Sequence, residues 1–228
     1  MIASLGDAVT YNDSLGTLFV MPETQRWRFR DYVDFVKAKR NPQTTKERNE
    51  RASKRKGVYY ISHQNSSLTD EDEFGSRLMA DLDGGELSFA KAAFDSKPDA
   101  INLWMGAADA VTSLHKDHYE NTYCVIKGRK HFTLYPPSSV NHLRTENLPA
   151  AQYREREDGT FAVEQSPAPA RPWILVDPED ESTWDQNYHH CHRIDVTVEA
   201  GDMLYLPSLW YHQVISCHAM LGRAFANV

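Results

Sequence analysis

Three extended runs crowded between Asp195 and Val214 limit the fold of this chain more than any other feature. Asp195-Val196-Thr197-Val198 alternates polar and apolar residues, Ala200-Gly201-Asp202 turns, and Met203-Leu204-Tyr205-Leu206 runs on until Pro207. Proline has no N–H for a strand ladder, so it stops the run. Ser208-Leu209-Trp210-Tyr211-His212-Gln213-Val214 then puts a histidine on the next strand. Side chains alternate across a pleat, so each run has one face for a core and one for solvent.

Gly16-Thr17-Leu18-Phe19-Val20, Gly57-Val58-Tyr59-Tyr60-Ile61-Ser62 and Ala100-Ile101-Asn102-Leu103-Trp104-Met105 also read as strands, the last ended by Gly106. From Glu23 to Lys39, Phe29, Tyr32, Val33 and Val36 recur at i, i+3, i+4 and i+7, which predicts an amphipathic helix. Residues 37–56 are basic and polar and read as a solvated loop. Solvation also explains Lys54-Arg55-Lys56 better than nuclear import or RNA contact. Ser67 to Leu82 reads as an acidic loop running into a short helix with Phe74, Leu78 and Leu82 on one side. From Val111 to Pro137 the pattern predicts strand, tight turn at Lys127-Gly128, and strand, with Val125 facing Lys130. Residues 138–190, rich in Pro, Asp, Glu and Ser, read as an insertion between core strands. It holds a small hairpin at Asp158-Gly159 and an extended Pro172-Trp173-Ile174-Leu175-Val176 segment. The fold expected is mainly β: a double-stranded β-helix, the cupin-type jelly roll, with a few flanking helices and a mouth suited to a ligand or metal.

The chemistry concentrates in Thr112-Ser113-Leu114-His115-Lys116-Asp117-His118-Tyr119-Glu120-Asn121. His115 and Asp117, two apart on a strand, point to one face and can grip one metal ion. With a second histidine they complete a 2-His-1-carboxylate set, which leaves positions on iron open for substrate and oxygen. A His-x-Asp by itself arises by chance, and His212 is the best source of the third ligand. With the turn at Lys127-Gly128, Lys130 shares the face of His115, Asp117 and Asn121 and projects towards the metal. His189-His190-Cys191-His192 is a tempting second tract. Adjacent histidines on an extended chain point to opposite faces, so no designed metal site is expected there.

With 228 residues, 41% of them hydrophobic, the chain can bury a sizeable core, and one domain is expected. A net charge of -7 argues against general nucleic-acid binding and mildly favours a basic partner. Cys124, Cys191 and Cys217 are an odd number with no Cys-x-x-Cys, which predicts reduced thiols and an intracellular setting. No signal-peptide run, long apolar stretch or lipidation tail is present, so neither secretion nor membrane attachment is expected.

Thr112, His115-x-Asp117, Asn121, Lys130 and the run from Ala200 to His212 resemble the jumonji-C domain of iron(II)- and 2-oxoglutarate-dependent oxygenases, a likeness that spans most of the chain. Val58-Tyr59-Tyr60-Ile61, Gln64-Asn65, Asn102-Leu103-Trp104, Ser113 to Asn121, Asp158-Gly159-Thr160-Phe161 and Pro172-Trp173-Ile174 are most similar to its small lysyl hydroxylases. The resemblance implies that His115, Asp117 and His212 ligate Fe(II). It implies that Lys130 pairs with the distal carboxylate of 2-oxoglutarate, beside the Tyr60 and Thr112 hydroxyls, and that Asn121 and Asn227 belong to the site. O2 is the second cosubstrate it implies, with succinate and carbon dioxide released as hydrogen is taken from an unactivated C–H. Fe(II), the Asp117 carboxylate and the doubly charged cosubstrate sum to minus one, so one buried lysine brings the site to neutrality.

The family's N-terminal helical portion is missing, and the chain stops at Ala226-Asn227-Val228, where relatives continue through an aromatic strand into dimer-forming helices. The expectation is one jumonji-C domain over residues 1–228, shortened at both ends, without a secure final strand or the family's homodimer. The expected activity is hydroxylation of a lysine on an intracellular protein in the cytoplasm or nucleus, in this branch a translation-associated GTPase. The alternatives are demethylation of N-methyl-lysine in histones and, from another class, an inactive binding module that kept the pocket. Intact metal and cosubstrate residues argue against the module, and nothing supports a nucleophile-base pair for a peptidase.

Overall fold

The core strands draw on β-branched and aromatic residues, which suit a pleated, half-buried surface. The computed structural model describes residues 2–5, 9–40, 57–63, 87–108, 110–217 and 221–227. In chain order the elements are β1 (Ile2–Leu5), β2 (Val9–Asn12), β3 (Gly16–Met21), β4 (Thr24–Arg26), helix α1 (Phe29–Arg40), β5 (Tyr59–His63) and helix α2 (Ser88–Phe94). Then come β6 (Ala100–Gly106), β7 (Val111–Lys116), β8 (Glu120–Lys127), β9 (Arg129–Tyr135), β10 (Thr145–Leu148), β11 (Ala150–Glu155), β12 (Phe161–Gln165) and β13 (Arg171–Ile174). The chain closes with β14 (Ile194–Glu199), β15 (Met203–Leu206), β16 (Tyr211–Ser216) and β17 (Leu221–Asn227).

Two sheets form the core, one ordered β15-β8-β17-β6 and extended by β5-β1-β4, the other β14-β9-β16-β7. The chain changes sheet at every step from β6 to β9 and again from β14 to β17, which is the winding of a cupin-type jelly roll. Between the sheets lie Tyr123, Val125 and Leu206 from one, and Phe132, Leu134, Val198 and Val214 from the other. Each fully buried side chain of this kind contributes roughly 1.5–3 kcal/mol. The interior therefore supplies much of the cohesion, and a polar residue inside it needs a reason.

The expected hairpin at Lys127-Gly128 is not formed. β8 pairs with β15 and β17, while β9 pairs with β14 and β16, so Val125 and Lys130 are not partners. Gly128, at φ 83°, is where the chain leaves one sheet for the other. A hairpin and a crossover both call for a glycine at positive φ, so their local sequences look alike. Lys130 nonetheless faces inward, opposite Val198 on one side and Ser216 on the other. Both sheets turn their apolar rows to the same interior.

The predicted helix starts at Phe29, the first residue of its apolar stripe, and not at Glu23. Thr24–Arg26 pair with β1, and the helix buries Tyr32, Phe35 and Val36 while Phe29 stays exposed. Trp27 packs edge-on against Phe35 and over Tyr59, closing this end. Residues 37–40, expected in the loop, belong to the helix. Residues 41–56, Gln64-Asn65 and the Ser67 to Leu82 segment lie outside the described residues.

Residues 138–190 form their own ribbons. β10 pairs with β13, and the β11–β12 hairpin turns at Gly159 (φ 76°) and joins β3 in parallel. Trp184 and Tyr188 cover Leu114, Tyr135 and Tyr211 on the outer face of the β14-β9-β16-β7 sheet. The Gln213 Nε2 donates to Asp177 Oδ1 at 2.9 Å and ties the insertion down. β17 is formed after all, between β8 and β6. Among the described residues no helix is long and apolar enough to cross a membrane.

Candidate metal centre and its buried lysine

His115 and His212 stand opposite each other on β7 and β16, with ring centroids 4.2 Å apart. Asp117 follows just past the end of β7, and its Oδ2 lies 4.0 Å from His115 Nε2 and 3.7 Å from His212 Nε2. One ligand atom from each of the three falls within 4.8 Å of the other two. Both ring Nδ1 atoms are committed elsewhere: His115 to the Ser113 carbonyl at 2.8 Å, His212 to the Trp210 carbonyl at 3.1 Å. An Nδ1–H given to a carbonyl leaves Nε2 with its lone pair facing the ion, the usual second tie of a ligating histidine. Burial, with the neighbouring His115 imidazole, drives His212 down to about 3, against the pull of the Trp210 carbonyl. It therefore stays neutral, the form that binds a metal.

The donor set suits Fe(II): two imidazoles and one carboxylate on one side, the other positions free. His189, His190, Cys191 and His192 do not join any such group; among the described residues only His115, Asp117 and His212 do.

A bulge completes the row. Thr112 pairs with Val214 and His115 with His212, so three steps on β7 match two on β16. Without that extra residue Thr112 and His115 would face opposite ways.

Deeper in, Lys130 is 1% exposed. It lies four residues along β9 from Leu134, the partner of His212, roughly 13 Å at the rise of a strand. A lysine side chain and a five-carbon dicarboxylate can together bridge that gap. Its Nζ donates to Tyr60 Oη at 2.8 Å and to Tyr123 Oη, and sits 5.2 Å and 4.8 Å from the centroids of those rings. Burial drives the amine down to about 7. Burial also holds the phenols of Tyr60 and Tyr123 above their ordinary range, so both remain neutral. The amine thus has dipoles around it and no counter-charge among these contacts, a cradle waiting for an anion.

Of the other expected site residues, Thr112 shares the inward row but is not a hydrogen-bond partner of Lys130. Asn121 lies opposite Leu206 and donates to the Tyr119 carbonyl at 3.3 Å, at the lip. Asn227 stands in register with Glu120, one position off the row of Asn121, and its side chain lies outside the described residues. Sequence reasoning missed Tyr123, although it follows Asn121 at the i+2 spacing that marks a shared face. It also missed Gly106, which pairs with Tyr60. A Cβ there would fall 2.6 Å from Tyr60 Cδ2, so the glycine lets that ring lie flat and reach Lys130. Trp173, from the insertion, lies near-parallel to the His115 ring, its centroid 6.5 Å away and interplanar angle 10°, walling one side.

The chain is similar in sequence to known proteins. A human protein named bifunctional peptidase and (3S)-lysyl hydroxylase JMJD7 is 37% identical over 207 residues, 90% of this chain and 60% of its own length. JmjC domain-containing protein E of Dictyostelium discoideum is 37% identical over 210 residues, 86% of this chain and 56% of its own. Lysine-specific demethylase JMJ32 of Arabidopsis thaliana is 41% identical over 172 residues, 69% of this chain and 47% of its own. The chain therefore spans about half to three-fifths of the length of these relatives. The cupin-like domain profile matches residues 3–224, and the chain belongs to the cupin-like family in its jumonji-C branch.

Proposed function

We propose that this chain is an Fe(II)- and 2-oxoglutarate-dependent oxygenase that hydroxylates a lysine side chain of an intracellular protein. The observation that carries it is the pairing of two features in one interior: three ligand atoms within 4.8 Å of one another and, further in, a buried amine without a counter-charge among its contacts. His115, Asp117 and His212 would hold the iron. When bound, iron with 2-oxoglutarate and O2 supplies the oxidative decarboxylation that yields succinate and carbon dioxide and inserts oxygen into a C–H bond. Lys130 holds the distal carboxylate by charge, and Tyr60 and Tyr123 orient the amine towards it. Neutral His212 keeps its lone pair available across the physiological pH range. The apolar walls around Phe132 and Val214 exclude water from the cosubstrate.

Lysine as the target is supported by the name of the human relative and by the acidic balance of this chain, which suits a basic protein segment. A translation-associated GTPase is the substrate class proposed, met in the cytoplasm or nucleus. The Arabidopsis relative's name favours demethylation as the second reading. Mass spectrometry separates them: a lysine peptide that gains one oxygen supports hydroxylation, whereas loss of a methyl group from an N-methylated peptide moves the assignment to demethylase. Neither product beside succinate formation would leave the oxygenase without this substrate class.

A further inference from the structure

Two crossovers between the sheets meet at the mouth. One, from β7 to β8, carries Asp117; the other, Pro207 to Trp210 from β15 to β16, leads into His212. The last ladder pair on β7 is Lys116 with Tyr211, so no strand bond holds Asp117, whose side chain is 48% exposed. The two crossovers instead bond to each other. Leu209 N–H donates to the Asp117 carbonyl at 2.8 Å, and Ser208 Oγ donates to the His118 carbonyl at 3.0 Å. Ser208 N–H donates to Glu120 Oε2 at 3.2 Å, which also accepts from Tyr205 Oη at 2.6 Å.

The backbone is twisted to make these contacts. Among the described residues only Asp95 and Leu209 are non-glycines at positive φ. Asp95 caps α2, a common place for that conformation. Leu209, at φ 65° and 40% exposed, is the third residue of a turn closed by the Trp210 N–H donating to the Pro207 carbonyl at 3.3 Å, a place that glycine usually takes. A side chain in this region is strained and persists where its surroundings over-determine it. Here the twist aims the N–H at the Asp117 carbonyl.

The geometry points to the Pro207–Leu209 turn as a clip that positions the Asp117 ligand, with Ser208 and Glu120 as its positioning residues. Because one crossover delivers Asp117 and the other His212, bonds between them fix the distance between ligands far apart in the chain. Glu120 has a second part in this. Its carboxylate, three residues from Asp117, is occupied by two donors, Ser208 N–H on the clip and Tyr205 Oη on β15, and is kept from serving as a competing ligand. The inference rests on the metal-centre reading above.

Mn(II) titration of the full chain, followed by electron paramagnetic resonance, tests it without recourse to turnover. Ser208→Ala should weaken Mn(II) binding roughly tenfold, as loss of an outer partner of a ligand does. Ser208→Thr, which keeps the hydroxyl, should restore it, and the metal-free thermal midpoint should barely move. Glu120→Ala, on the other side of the clip, should weaken binding as well. The double variant should lose less than the product of the two single losses, since both act on one ligand. Should Ser208→Ala unfold, Glu120→Ala carries the test alone. If wild type binds Mn(II), His212→Ala does not, and the folded clip variants bind like wild type, the clip is overturned and the metal centre stands. If wild type fails to bind, the metal-centre reading falls and the clip with it.

Discussion

The two ends of the interior hold their polar groups in opposite ways. At the mouth, His115, Asp117 and His212 sit where strands end and sheets are exchanged, and Asp117 is 48% exposed. At the deep end Lys130 is 1% exposed and walled by two phenols. On the proposed function, the mouth would gain affinity by coordination and stay open to oxygen and substrate. The deep end gains it by a charge in a dry place, where an unpaired amine is costly and an arriving carboxylate is worth far more than in water. One site can thus hold the two ends of a single small dicarboxylate by different physics.

The comparison breaks most readily at the mouth. His212→Ala or Asp117→Ala should reduce succinate formation roughly 100-fold or more, since the ion supplies several kcal/mol of the rate. Turnover at the wild-type rate in either variant would remove both residues from the centre. At the deep end, Lys130→Met should separate the two halves. It should cost about 2–4 kcal/mol of 2-oxoglutarate affinity, roughly 30-fold or more, with Mn(II) binding retained. It should also raise the thermal midpoint of the cosubstrate-free protein, because a buried unpaired amine is replaced by a thioether of similar length. Affinity and stability would move in opposite directions, which calorimetry can register on one sample.

The pH dependence sharpens the same contrast. With the amine at about 7 in the folded chain and 10.5 as its ordinary value, the unfolded chain carries the extra proton between those limits. Stability of the cosubstrate-free wild type should therefore rise relative to Lys130→Met as pH climbs through that window, and the difference should be constant below it. Binding a dicarboxylate restores the proton, so 2-oxoglutarate affinity should fall above about pH 7, by up to about tenfold per unit. A Kd flat from pH 7 to 9 would show the amine charged throughout. The smallest effect belongs to Gly106→Ala: Tyr60 must shift to clear the new methyl, and 2-oxoglutarate affinity should drop about fivefold, near 1 kcal/mol, while Mn(II) affinity is kept.

Much of this was legible in the sequence, and the misses share a cause. Strand alternation and turn residues announced the jelly roll, and the His-x-Asp spacing with a distant histidine announced the cluster. Partner choice was not legible: Gly128 suits a hairpin and a crossover equally, so Val125 and Lys130 were matched wrongly although the lysine does point inward. The β7 bulge was equally silent, because an extra residue leaves no mark on either side of it. The start of α1 differs from the expected Glu23 because Thr24–Arg26 pair with β1, and the apolar stripe itself begins only at Phe29. Tyr123 carried a signal in its i+2 spacing from Asn121, whereas Gly106 could be recognised only once it was known to pair with Tyr60. The His189–His192 tract shows the converse, for residues adjacent in the chain need not converge in space.

The central claim is that one iron ion and one 2-oxoglutarate sit together in this interior, held at the mouth by His115, Asp117 and His212. Visible absorption during anaerobic addition of Fe(II) and then 2-oxoglutarate to the purified chain tests it most directly. A weak charge-transfer band should appear with wild type and be absent from folded Asp117→Ala. A folded wild-type chain whose spectrum stays flat with both additions would contradict it.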